Sequence, residues 1–145
     1  MSFPKLLVPL LCSLVLAAPA WAAGKQTKGN KPLSIAQGQK VDLADFLVTG
    51  MMTVFDFTSE YCPPCRAYSD PLLRLHQQST NLAVVKVDIN RPEYHYIDWQ
   101  SPVARQFALS GKGIPYFMIY GPEGRLLAEG PEAREQVNRW LAKLP

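Results

Sequence analysis

The chain has 145 residues, 48% of them apolar and 19% charged, which is enough for one domain with a hydrophobic core and excludes a disordered chain. A net charge of +3, with no dense basic patch in the body of the chain, argues against an electrostatic nucleic-acid binder.

The first 22 residues read as a secretory signal peptide. Lys5 is followed by an apolar run from Leu6 to Ala18, and Ala20-Trp21-Ala22 offers a small-x-small cleavage site. That run is shorter than the roughly 20 residues needed to span a bilayer, so cleavage after Ala22 is expected rather than a retained anchor. Removing the leader takes Cys12 with it and leaves Cys62 and Cys65 as the pair of thiols in the mature chain. An exported chain meets an oxidising compartment, where such a pair persists as a disulfide or cycles through one.

Residues 23–40 carry Lys25, Lys28, Lys31 and Lys40 and no acid, and read as a flexible basic linker. From Val41 the pattern alternates between helical and extended periods. Val41 to Leu47 is predicted as a short helix, Met52 to Thr58 as a buried strand, and Cys62 to about Ser79 as a helix bent at Pro71. Leu82 to Asp88 is the next strand, and Pro102 to Leu109 the next helix. Ile114 to Tyr120 is a strand, joined through the turn Gly121-Pro122-Glu123-Gly124 to a hairpin partner at Arg125 to Glu129. Pro131 to Leu144 closes the chain as an amphipathic helix with Val137, Trp140 and Leu141 on one face. Strands alternating with helices predict an α/β domain over 41–145, a central mixed sheet with helices on both faces.

The stretch Tyr61-Cys62-Pro63-Pro64-Cys65 lies where the first strand gives way to a helix. A cysteine at that turn sits near free backbone N–H groups and the positive end of the aligned peptides, and both favour a thiolate. Asp56 is a lone carboxyl inside an apolar strand, expensive there unless paired or functional.

The run Val54-Phe55-Asp56-Phe57-Thr58-Ser59-Glu60-Tyr61-Cys62-Pro63-Pro64-Cys65, followed later by Gly113-Ile114-Pro115-Tyr116-Phe117, resembles the active-site turn and cis-proline loop of thioredoxins. The resemblance covers most of residues 41–145 and, given the leader, is to exported thioredoxin-like proteins of the bacterial periplasm. It implies a thioredoxin fold and a thiol–disulfide oxidoreductase acting on protein thiols and disulfides. Cys62 is then the nucleophile and Cys65 the resolving thiol. Asp56 is the buried acid that takes the proton of Cys65, with Lys86 as its charge partner. Tyr61, Pro64, Ile114 and Pro115 border the substrate, Ile114 and Pro115 by main-chain contacts in the manner of strand addition, with Pro115 in cis. Isoleucine at 114 points toward reduction. No metal or dissociable cofactor is implied, nor any nucleic acid; a monomer served by a membrane or periplasmic redox partner is expected.

Three positions depart from the family pattern. Pro63 replaces the common glycine and removes an N–H, while Thr58 and Tyr61 stand where tryptophan is usual. The segment from Arg91 to Gln100 is longer than thioredoxins need, and its rings (Tyr94, His95, Tyr96 and Trp99) suit either an aromatic cover for the sheet edge or a docking patch. Two other readings of the cysteines stay open: a binding module whose disulfide remains shut, and a zinc site. The zinc reading would need His76 and His95, 11 and 30 residues after Cys65, which is off the usual ligand spacing.

Overall fold

The computed structural model describes residues 24–145; the predicted leader lies outside the described residues. Strands β1 (Leu33–Ile35), β2 (Met52–Thr58), β3 (Leu82–Asp88), β4 (Tyr116–Tyr120) and β5 (Leu126–Glu129) form one sheet in the order β1-β3-β2-β4-β5. The first three in that order are parallel, and β4 and β5 run antiparallel to their neighbours. Central β2 and β3 are almost wholly buried because both of their faces are covered.

The two-residue period of the strands sorts their side chains between two cores. Phe55, Phe57, Val85 and Val87 point to one face, where they meet Leu43, Val103, Ala104 and Leu109. Val54, Val84, Phe117 and Ile119 point to the other, under helices α1 (Pro63–Gln78) and α4 (Gly130–Leu141), against Leu72, Leu75, Ala133 and Val137. Asp56 shares its parity with Val54, and so faces the α1 side. Its register partner on β3 is Lys86.

Most of the predicted elements lie where the periodicity places them, and β2 and β3 have the predicted limits. Three expectations need correction. Of the stretch predicted as a linker, 23–40, the described residues 24–40 are not free. β1 falls inside them and adds a parallel edge to β3, Gln26 bridges to Val48, and the Gly29 carbonyl accepts from His76 Nε2 at 2.8 Å. His76, on a buried face of α1, also accepts the Val84 N–H at Nδ1 (3.0 Å), and burial pushes its pKa down. Nothing in the local pattern announces β1, since only Ile35 of its three residues is buried.

The helix expected over 102–109 is two short ones, α2 (Pro102–Gln106) and α3 (Leu109–Lys112). Ala108 between them adopts φ +52°, a left-handed conformation rare for a residue with a Cβ. The stretch predicted helical over 41–47 contains a single 3₁₀ turn, Leu43–Phe46, capped by the Asp42 side chain. Pro71 lies inside α1 without ending it.

Ser101 starts α2 as its N-cap, its fully buried Oγ accepting from the Ala104 N–H at 3.1 Å. Ser101→Ala leaves that N–H without its partner. The expected loss is about 1 to 2 kcal/mol, measured by urea denaturation of the oxidised protein.

Candidate active site

Cys62 is the N-cap of α1, and Pro63 and Pro64 follow it as the first two helical residues. Proline suits those positions, where an N–H would have no intrahelical partner. Cys62 and Cys65 form a disulfide with Cα atoms 5.2 Å apart. The Cys65 N–H points back at Cys62 Sγ, 3.3 Å away. Because both prolines lack an N–H, that donor is the one N-terminal amide of the helix aimed at the sulfur.

An attacking sulfur has to be reachable, yet in the oxidised protein Cys62 is nearly enclosed. Cys62 retains 2% of its surface, against 1% for Cys65. Its backbone is tied down on both sides, with Cys62 N–H donating to Ser59 O (3.2 Å) and Arg66 N–H to Cys62 O (3.0 Å). The Ile114 carbonyl oxygen approaches Sγ to 3.8 Å. The sulfur thus lies at the seam between the α1 turn and the Ile114 loop.

The Ile114-Pro115 peptide bond is cis. Pro115 is buried, Ile114 half-buried, and the Pro115 carbonyl accepts from Arg134 Nη2 at 2.7 Å. That bond fastens the loop to α4 while Ile114 borders the disulfide. β4 begins at Tyr116 rather than at Ile114, since Pro115 has no N–H to give to the ladder.

Asp56 is 1% exposed, and its Oδ1 has no hydrogen-bond partner. Burial raises its pKa to about 7, with Lys86 across the β2–β3 ladder pulling the other way. A carboxyl that changes charge near neutrality under the helix bearing Cys65 suits proton transfer. Lys86 is half-buried and lines a small polar cleft of about 190 Å³ with Thr58, Glu60, Arg66 and Asp88. There burial raises the Asp88 pKa, and the neighbouring Glu60 adds to the effect.

Tyr61 half covers the turn. Its Oη lies 3.2 Å from His95 Nδ1, the rings edge to face. Desolvation, with Glu60 beside it, pushes the phenol pKa up. Pro64 is exposed on the same turn. The structure thus brings Cys62, Cys65, Tyr61 and Pro64 of the α1 turn up to the Ile114-Pro115 loop, with Asp56 and Lys86 as register partners on β2 and β3. Ser59 and Asn90, which sequence reasoning passed over, are both buried beside the turn and bonded to each other at 2.7 Å. Only Ser59 had a local signal, a hydroxyl two residues before the amide it binds, as in a serine turn.

No family model matches the chain. It is 27% identical to Thioredoxin H5 of Arabidopsis thaliana over 93 residues, 63% of this chain and 70% of that protein. Among solved structures, thioredoxin f from spinach chloroplast (long form) superposes with a TM-score of 0.55 at 18% identity, covering 83% of this chain and 95% of that one. A mutant thioredoxin from Halobacterium salinarum gives 0.50 at 16% identity over 84% and 97%. The chain has the thioredoxin fold. Beside the plant thioredoxin relative, the cysteine pair at the head of α1 supports a thiol–disulfide oxidoreductase.

Proposed function

We propose that the protein is an exported, periplasmic or secreted, thiol–disulfide oxidoreductase that reduces disulfides in protein substrates. The carrying observation is the Cys62–Cys65 pair held between the head of α1 and the Ile114-Pro115 loop. Export rests on the apolar leader and its Ala20-Trp21-Ala22 site.

In the reduced protein the Cys62 thiolate attacks one sulfur of a substrate disulfide, and the other substrate sulfur leaves and takes up a proton. Cys65 gives its proton to Asp56 and attacks Cys62 Sγ, releasing the second substrate thiol and closing the Cys62–Cys65 disulfide. Two electrons pass from the dithiol to the substrate. A further dithiol, in a membrane or periplasmic redox partner, must return them.

The double proline supports reduction as the direction. A thiolate stabilised by several N–H donors favours the reduced form and makes an oxidant. Among the described residues Cys62 has only the Cys65 N–H, since Pro63 and Pro64 offer none. Its reduced state is therefore weakly favoured, and the pair gives up electrons readily.

Titration against glutathione tests both parts. The expected potential lies closer to about −270 mV than to about −120 mV, together with catalysis of insulin reduction. A value near the upper figure would make the protein an oxidant. A normal potential without insulin turnover would leave a binding module.

A further inference from the structure

The segment after β3 is built into the active-site turn through a buried amide. Asn90 is 5% exposed and uses every hydrogen-bonding position of its side chain. Its Oδ1 accepts from Ser59 Oγ (2.7 Å) and from the Asp98 N–H (3.3 Å), while Nδ2 donates to Tyr94 O (3.3 Å) and Tyr96 O (2.6 Å). The aromatic excursion is thus folded around Asn90, and Asp98, buried, is locked by Arg91 through bonds of 2.7 and 3.1 Å.

Ser59 is the hinge on the other side. Its Oγ, while donating to Asn90, accepts the Tyr61 N–H at 3.2 Å, and its carbonyl accepts the Cys62 N–H at 3.2 Å. A second link runs over the surface from His95 to the Tyr61 phenol. Two bridges therefore join the excursion to the two residues that present the nucleophilic sulfur.

We infer that Asn90 is a positioning residue for Cys62: through Ser59 it fixes the turn that keeps Sγ on the Cys65 N–H, with the His95–Tyr61 contact as a second brace. The inference rests on Cys62 as the attacking thiol. Physically, thiolate stabilisation here depends on a single donor, so a small rotation of the turn removes most of it. A turn braced by a residue 31 positions away holds that geometry where the local sequence, with two prolines and no tryptophan, has few other means. The excursion is in this account neither a plain cover for the sheet edge nor primarily a docking patch. Its buried half is a brace.

The test reads the thiol itself. The reduced protein is alkylated with iodoacetamide from pH 5 to 9, and the labelling rate of Cys62 is followed by mass spectrometry. Asn90→Ala and Ser59→Ala are each expected to raise the midpoint of the profile by half a pH unit or more and to slow insulin reduction at least fivefold. His95→Phe, on the surface, is expected to shift the midpoint in the same direction by less. Val137→Ala, destabilising from the opposite core, controls for loss of stability and should leave the midpoint in place. If Asn90→Ala does not fold, Ser59→Ala decides. A Ser59→Ala or Asn90→Ala midpoint equal to wild type, or matched by Val137→Ala, overturns the inference. Variant profiles that shift as stated, in a protein whose wild type turns over no insulin, would defeat the proposed function and leave the brace standing.

Discussion

Cys62→Ser loses disulfide reduction by at least about a thousandfold, the scale expected when a covalent nucleophile is removed, and Cys65→Ser converts the protein into a trap. The two variants separate because the sulfurs occupy different places on α1. Cys62 caps the helix and meets the Ile114 loop at 3.8 Å. Cys65 lies one turn on, 1% exposed, on the inner side. Without Cys65, attack by Cys62 still occurs, but nothing inside the protein breaks the mixed disulfide. Non-reducing gels of Cys65→Ser incubated with a disulfide-bonded protein should show a covalent adduct that dithiothreitol removes. Cys62→Ser should give none. Adduct with Cys62→Ser and none with Cys65→Ser would mean that the roles of the cysteines are exchanged, and equal adduct formation that neither is selected by the fold.

How much of this site could be read in advance depends on whether the signal is local. The β2 strand and its CxxC turn are written in adjacent residues: an apolar extended run, then a cysteine and two prolines at the head of a helix. Asp56 also betrays itself locally, as a charge in an apolar strand, and its pairing with Lys86 follows once β2 and β3 are aligned in parallel. Ser59 and Asn90 are different. Their 31-residue separation is closed only when β3 runs out beside the end of β2, and neither serine nor asparagine after a strand stands out from ordinary turn residues. β1 was illegible for a related reason. Three residues with one buried side chain carry no period, and the strand exists because the exposed edge of β3 supplies its partners. The break at Ala108 has no compositional sign at all, since the left-handed residue there is an alanine rather than a glycine.

Asp56→Asn is expected to make the oxidised protein more stable at alkaline pH and less stable in acid. The carboxyl has an ordinary pKa of 3.8 when the chain is unfolded and about 7 when it is buried. Below pH 4 it is protonated in both states and burial carries no charge penalty. Between pH 4 and pH 7 the folded protein holds a proton that the unfolded chain has released, so the stability Asp56 allows in acid is progressively lost as pH rises. Above pH 7 the full penalty applies, about 4 kcal/mol at roughly 1.4 kcal/mol per pH unit. Asparagine cannot ionise, though its amide remains a buried polar group, and Oδ1 already lacks a partner in the native protein. That group lowers the variant's stability by a roughly constant 1 to 3 kcal/mol. The difference between variant and wild type should therefore move by about 4 kcal/mol in the variant's favour between pH 4 and pH 8.5, measured by urea denaturation with the disulfide intact, when neither cysteine titrates. Insulin reduction at pH 7 should fall in the same variant by about a hundredfold, the lower end of what a positioned proton acceptor contributes. A stability difference independent of pH would show that Asp56 is ionised or solvated throughout, and would remove it as the group that takes the Cys65 proton.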